Sequence, residues 1–187
     1  MIRAAATRFL LLVGAAACAR SAEPVVVDFE KAVPLLADGN ANRVPRWEEK
    51  GVVFTLAREP QQTKGKGMLM FFTHLQSGHK GIACAMATEP IPVRATFPAP
   101  VSSVTVSLWG STGMPALLEA FDAAGKVVDR ASLETVPGRK SPGEPVPIFT
   151  MTVHAARIAY IQFSGPREGE FLAADDVRFT PIESDRN

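Results

Sequence analysis

From residue 25 onward the chain is a succession of short β-branched and aromatic runs, each bounded by Gly, Pro, Asn or Asp, with almost no helical periodicity. Alternating apolar and polar residues present one face of an extended strand to a core, and a chain made of such strands must bury those faces against one another. Strands at this spacing close into a sandwich or a barrel. The runs predict strands near 25–30, 51–58, 67–74, 81–87, 91–97, 102–109, 115–122, 126–133, 146–153, 157–164 and 171–179. The expected fold class is all-β: a single antiparallel β-sandwich over residues 23–187.

The last two runs carry the most chemistry. Arg157 to Phe163 and Leu172 to Phe179 both alternate, and the second begins with the acidic pair Asp175-Asp176. Period two puts Asp175 on the face of Val177 and Phe179, where a carboxylate needs a cation or several hydrogen-bond donors.

Residues 1–22 have the three parts of a secretory leader. Arg3 and Arg8 form the cationic start, Phe9 to Val13 the apolar run, and Gly14 to Ala19 the small-residue stretch, with cleavage expected between 17 and 22. The mature chain is therefore expected to be exported, to the periplasm or beyond. Cys18 after three alanines also allows a lipid-anchoring signal, the alternative being a cysteine discarded with the leader. No later apolar run reaches membrane-spanning length.

The leader holds three of the 20 basic residues (Arg3, Arg8 and Arg20) and no acid, so 17 basic residues face 19 acids from Glu23 onward, a net charge of −2. That balance gives no reason to expect a nucleic-acid partner. Cys84 is the one cysteine after the leader, so no disulfide can form within the mature domain, and Ile82 to Met86 reads as a strand that buries its thiol.

Two local readings are well defined. Ala116 to Phe121 and Lys126 to Arg130 form a hairpin through Asp122-Ala123-Ala124-Gly125, where Asp bonds backbone amides and Gly supplies the left-handed residue. The proline-rich segment 136–147 cannot donate regularly to a ladder and is expected to be a surface loop. In 102–109, Val104, Val106 and Leu108 belong to the core, which leaves Trp109 on the polar parity beside Gly110. There it stacks on a sugar ring or a partner, or folds over the sandwich edge.

The order of elements is similar to that of a known superfamily. Val-Asp-Phe-Glu at 27–30, Phe97 to Val104, Phe121 to Val128, Ile158 to Ile161 and Ala174 to Phe179 together resemble the galactose-binding-like jelly-roll sandwiches of secreted bacterial proteins, which include many carbohydrate-binding modules. The resemblance covers nearly all of the mature chain. It implies a structural calcium where the first and last strands meet, held by Asp28 or Glu30 and Asp175 or Asp176. The alternative is that Asp175 caps backbone amides or pairs with Arg157 or Arg178. Asp38-Gly39-Asn40 with Pro45-Arg46-Trp47 also resembles the signature of discoidin-type domains, though the same residues make an ordinary turn.

No esterase elbow, zincin helix or phosphate loop is present. His74 and His79 flank a short turn without the Cys or carboxylate spacing of a zinc site. Arg58, Lys64, Lys66, His79 and Lys80 form a basic region that is either solvated or a lip for an anionic ligand. These residues predict a non-catalytic binding module for carbohydrate or another cell-envelope component, with Trp109, His79 and Lys80 as ligand contacts. The rival readings are a protein-interaction domain of the envelope and a small glycoside hydrolase using Glu119, with Glu134, Glu168 and Glu170 as further acids.

Overall fold

A computed structural model describes residues 23–32, 43–60, 68–74, 77–84, 91–110, 113–165 and 172–182. Residues 1–22, where the leader is expected and Cys18 stands, lie outside the described residues, as do Asp38 to Asn40, Lys64, Lys66, Glu168 and Glu170. Eleven strands are described: β1 (Val25–Val27), β2 (Arg43–Val44), β3 (Trp47–Glu49), β4 (Val52–Leu56), β5 (Leu69–Thr73), β6 (Lys80–Cys84), β7 (Val93–Gly110), β8 (Ala116–Phe121), β9 (Val127–Leu133), β10 (Phe149–Ser164) and β11 (Leu172–Pro181). The fold is an all-β antiparallel sandwich. Among the described residues no helix is long and apolar enough to cross a membrane.

The strands run in the order β2-β5-β6-β11-β7-β10-β8-β9, with β1 added to β11 and the β3-β4 hairpin added to β7. The runs 91–97 and 102–109, expected as two strands, are one strand, and so are 146–153 and 157–164. Residues 93–96 of β7 pair with β4, and residues 101–110 pair with β11. β10 follows β7 on its other side across both stretches, with register shifts between His154 and Tyr160. Long strands that bend at a bulge in this way carry the chain from one layer of a sandwich to the other.

Alternation decides what the layers bury. Val104, Val106 and Leu108 of β7, Leu118 of β8, Ile161 of β10 and Val177 of β11 are each 0% exposed. Phe29, which follows β1, packs edge to face on Phe54 with ring centroids 5.0 Å apart and leans on Phe71. The 122–126 turn forms as its residues predict: Asp122 Oδ1 accepts from the Ala124 and Lys126 amides, each at 2.9 Å, and Gly125 has φ +82°. No strand is described in 134–148, the proline-rich stretch. Cys84 lies half-buried against the core.

Candidate functional site

β1 pairs antiparallel with β11, Val27 opposite Val177, so the first and last strands lie side by side. Beyond Val27 the chain turns away: the Glu30 amide donates to Asp28 Oδ1 at 3.3 Å, and the Ala32 amide donates to the Phe29 carbonyl at 2.9 Å. β6 takes over the same edge of β11 at Ala174, opposite Ile82. Asp175 and Asp176 sit at the changeover, in a bulge of β11 against β7 that gives Asp176 a φ of +24°. A bulge re-aims the side chains around it. Here it brings the acidic pair up to the start of β6, where His79 and Lys80 enter.

Four titratable side chains, those of Glu30, His79, Lys80 and Asp175, converge there. His79 Nδ1 lies 3.7 Å from Asp175 Oδ2 and 3.9 Å from Glu30 Oε1. Lys80 Nζ lies 3.8 Å from Glu30 Oε2 and donates to the Glu30 carbonyl, while the Lys80 amide donates to Glu30 Oε1 at 3.3 Å. The imidazole is 55% exposed and the Asp175 side chain only 3%. Asp175 Oδ1 accepts from the Asp176 amide at 2.7 Å, and the His79 contact at Oδ2 is too long for a hydrogen bond. Desolvation raises the Asp175 carboxyl to about 6 from an ordinary 3.8, against the lowering effect of the Asp176 amide and of His79.

Glu30 and Asp175, read from the sequence as metal ligands, and His79 and Lys80, read as ligand contacts, thus form one cluster, to which Asp176 brings its backbone amide. Asp28 stands apart from it. Lys50 Nζ lies 3.4 Å from Asp28 Oδ2. Partial burial works upward on the Asp28 carboxyl, but the Glu30 amide and Lys50 outweigh it and hold the group below its ordinary value. Asp175 caps the neighbouring amide, as the alternative reading had it, and does not pair with Arg157 or Arg178. Calcium takes six to eight oxygens. Here ammonium groups stand against Asp28 and Glu30, and among the described residues no three His, Cys, Asp or Glu side chains are arranged to hold a metal ion.

Trp109 is 4% exposed, so the open stacking platform read from its parity is corrected. It lies over Ala83 and Ala173 with Phe72 and Val146 around it, and its ring meets His74 edge to face with centroids 5.4 Å apart. His74 is tied down as well: Nε2 is 2.7 Å from the Val146 carbonyl, and Nδ1 is 2.9 Å from Ser77 Oγ. A Cβ on Gly81 would stand 2.1 Å from Trp109 Cη2, so only glycine lets β6 pass beneath the indole. Trp109 therefore braces the sheet behind the cluster. Trp109 keeps the parity opposite to Leu108, and on that face Phe72 and Val146 cover it.

Glu119, the acid of the hydrolase reading, is held by Arg130, whose Nε donates to Oε1 at 3.0 Å and whose Nη2 bonds the same oxygen. It belongs to an outer sheet face where Tyr160 stacks on Phe121, centroids 4.7 Å apart and planes 9° off parallel, and Arg94 covers the Tyr160 ring at 4.5 Å. Arg46, of the discoidin-like segment, pairs with Glu48, and Trp47 packs on Phe71.

This sandwich recurs in solved structures. The chain is similar to the K1 cleaved adhesin domain of Lys-gingipain from Porphyromonas gingivalis W83, with a TM-score of 0.51 at 10% identity over 86% of this chain and 99% of that one. It is similar also to the K2 cleaved adhesin domain of Lys-gingipain, with a TM-score of 0.52 at 12% identity over 85% and 100%. At these identities the likeness establishes the fold. A weaker likeness is to TmCBM61 in complex with beta-1,4-galactotriose, with a TM-score of 0.38 at 13% identity over 82% and 94%. No family model matches the chain, and no curated protein matches it.

Proposed function

We propose that this chain is an exported, non-catalytic binding module that takes carbohydrate, or another polyhydroxyl component of the cell envelope, at the end of the sandwich where Glu30, His79, Lys80 and Asp175 meet. The observation that carries this reading is Asp175, a carboxylate buried to 2% residue exposure, raised to about 6, with an exposed imidazole facing its free oxygen. A buried acid without a close cation destabilises the fold that holds it, and such groups concentrate at functional sites. Each sugar hydroxyl both donates and accepts, and two carboxylates beside an imidazole and an ammonium offer both partners within one patch. The use of the same sandwich as an adhesin domain in Lys-gingipain supports a binding role, and the leader at 1–22 supports export.

The test is retention on a panel of immobilised polysaccharides. At least one is expected to retain the protein, with His79→Ala losing that retention at an unchanged melting temperature, as fits a side chain more than half exposed. A panel that retains nothing, or a His79→Ala variant retained as strongly as the parent, overturns the reading.

A further inference from the structure

The opposite stretch of the long strands holds a second feature that the terminal cluster does not use. Where β10 shifts register against β7, Pro100, Arg157 and Ala159 line a cavity of about 320 Å³, closed on its other side by Asp122, Ala123 and Ala124 of the β8-β9 turn. That volume is at the low end of ligand pockets and suits one ring rather than an extended chain.

Its chemistry is divided. Pro100 and the three alanines make apolar walls, and one cation and one anion stand at the rim. Asp122 spends Oδ1 on the Ala124 and Lys126 amides. Arg157 is exposed and, among the described residues, has no hydrogen bond or ion pair. It sits within the bulge of β10, between the pairings of Ile158 with Val101 and of His154 with Ser103. Bulges of this kind are built features that aim a side chain. Asp129 holds this one, its Oδ2 accepting from the His154 amide at 2.7 Å.

The geometry points to a binding site for a uronate ring. The sugar's apolar face lies on Pro100 and Ala159, its carboxylate forms a forked pair with the Arg157 guanidinium, and a hydroxyl at the far side donates to Asp122. Asp122 sets the orientation, because it repels the acid end of the ring. The site shares no residue with the Glu30–Asp175 cluster and stands or falls separately from it.

The experiment follows backbone amide NMR shifts of the whole chain from Glu23 on titration with D-glucuronate, its methyl ester, D-glucose, and a neutral oligosaccharide capped by one glucuronate. Glucuronate is expected to move the amides of 123–125 and 157–159 saturably, the ester and glucose to leave them in place, and Arg157→Gln to weaken the response at least tenfold. His79→Ala should keep that response. Tighter binding of the capped oligosaccharide than of free glucuronate identifies the source as the end of a glycan, and equal binding identifies the free acid. Equal shifts from glucose and glucuronate, shifts confined to other residues, or an undiminished response in Arg157→Gln overturn the site. Ala124→Phe, which fills the cavity from an exposed turn, should abolish the response while leaving the spectrum that of a folded chain; a response that survives it has the same adverse meaning.

Discussion

At the scale of single residues, Asp175 sets the energetics of the terminal cluster. Its folded carboxyl titrates near 6 against an ordinary 3.8. A group raised on folding binds its proton more tightly in the native state, so its ionised form destabilises the fold above pH 6. That cost is relieved as pH falls toward 4. Asp175→Asn keeps an acceptor for the Asp176 amide and removes the charge. It is expected to stabilise the protein at pH 8 by up to about 3 kcal/mol, the linkage value of such a shift, with the gain vanishing near pH 4. Urea unfolding at both pH values measures it, and a variant no more stable than the parent at pH 8 would show that the carboxylate is well solvated. The same variant should lose polysaccharide retention, which separates the site's role from its stability. Trp109 illustrates the opposite limit, a residue whose parity suited a ligand but whose ring is occupied by Gly81, His74 and Val146.

Among the elements, β7 and β10 decide the architecture. The runs 91–97 and 102–109 read as two strands, and Pro98 and Pro100, which have no ladder donor, stand between them. The pairings of β7 with β10 leave residues 97–100 between Thr96 and Val101 without a ladder partner, so the prolines occupy the corner where no amide is required. Beside the matching irregularity in β10, the His154 amide donates to the Asp129 side chain of β9 rather than to a backbone carbonyl. That bond, with the Arg130 amide, holds the Asp129 carboxyl below its ordinary value. Asp129→Ala should cost about 1.5 kcal/mol at neutral pH, the low end of the range for a lost hydrogen bond to a charged group. Because the group is lowered on folding, its contribution is present above pH 4 and fades as pH falls through the native value, so the two proteins should converge in acid. Equal stability of the two at pH 7 would mean that the corner is held by packing alone.

For the whole molecule, the decisive contact is the closure of the chain ends. β1 covers β11 over Val177 to Phe179, and Phe29 enters the core at φ +54°, an unusual conformation for a bulky residue. The neighbouring packing on Phe54 and Phe71 holds it there. A chain that begins at Lys31 would expose that strand edge and empty the Phe29 site. Since loss of one buried Phe side chain costs about 3–5 kcal/mol, the shortened chain should unfold without a cooperative transition or associate through the bare edge. Calorimetry beside the chain that begins at Glu23 decides this, and a cooperative transition within a few degrees of the parent's would remove the ends from the account of stability.

Alternation and turn chemistry are local, and the sequence by itself determined what they govern: the all-β class, the inward set Val104, Val106 and Leu108, and the Asp122–Gly125 hairpin. Alternation put Asp175 on the face of Val177 and Phe179, but the bulge at Asp176 sets it opposite Ser107 while Val177 stands opposite Val106, so it is buried on the other face of the sheet. The side-by-side ends were legible too, through the resemblance of the terminal runs. Whether a strand continues past Pro100, where the Trp109 ring lies, and that His79 and Lys80 at the start of β6 meet Glu30 and Asp175 were decided by the tertiary structure alone. Each depends on a partner about 30 to 150 residues away, and a strand carries on its own face no mark of which neighbour will share it.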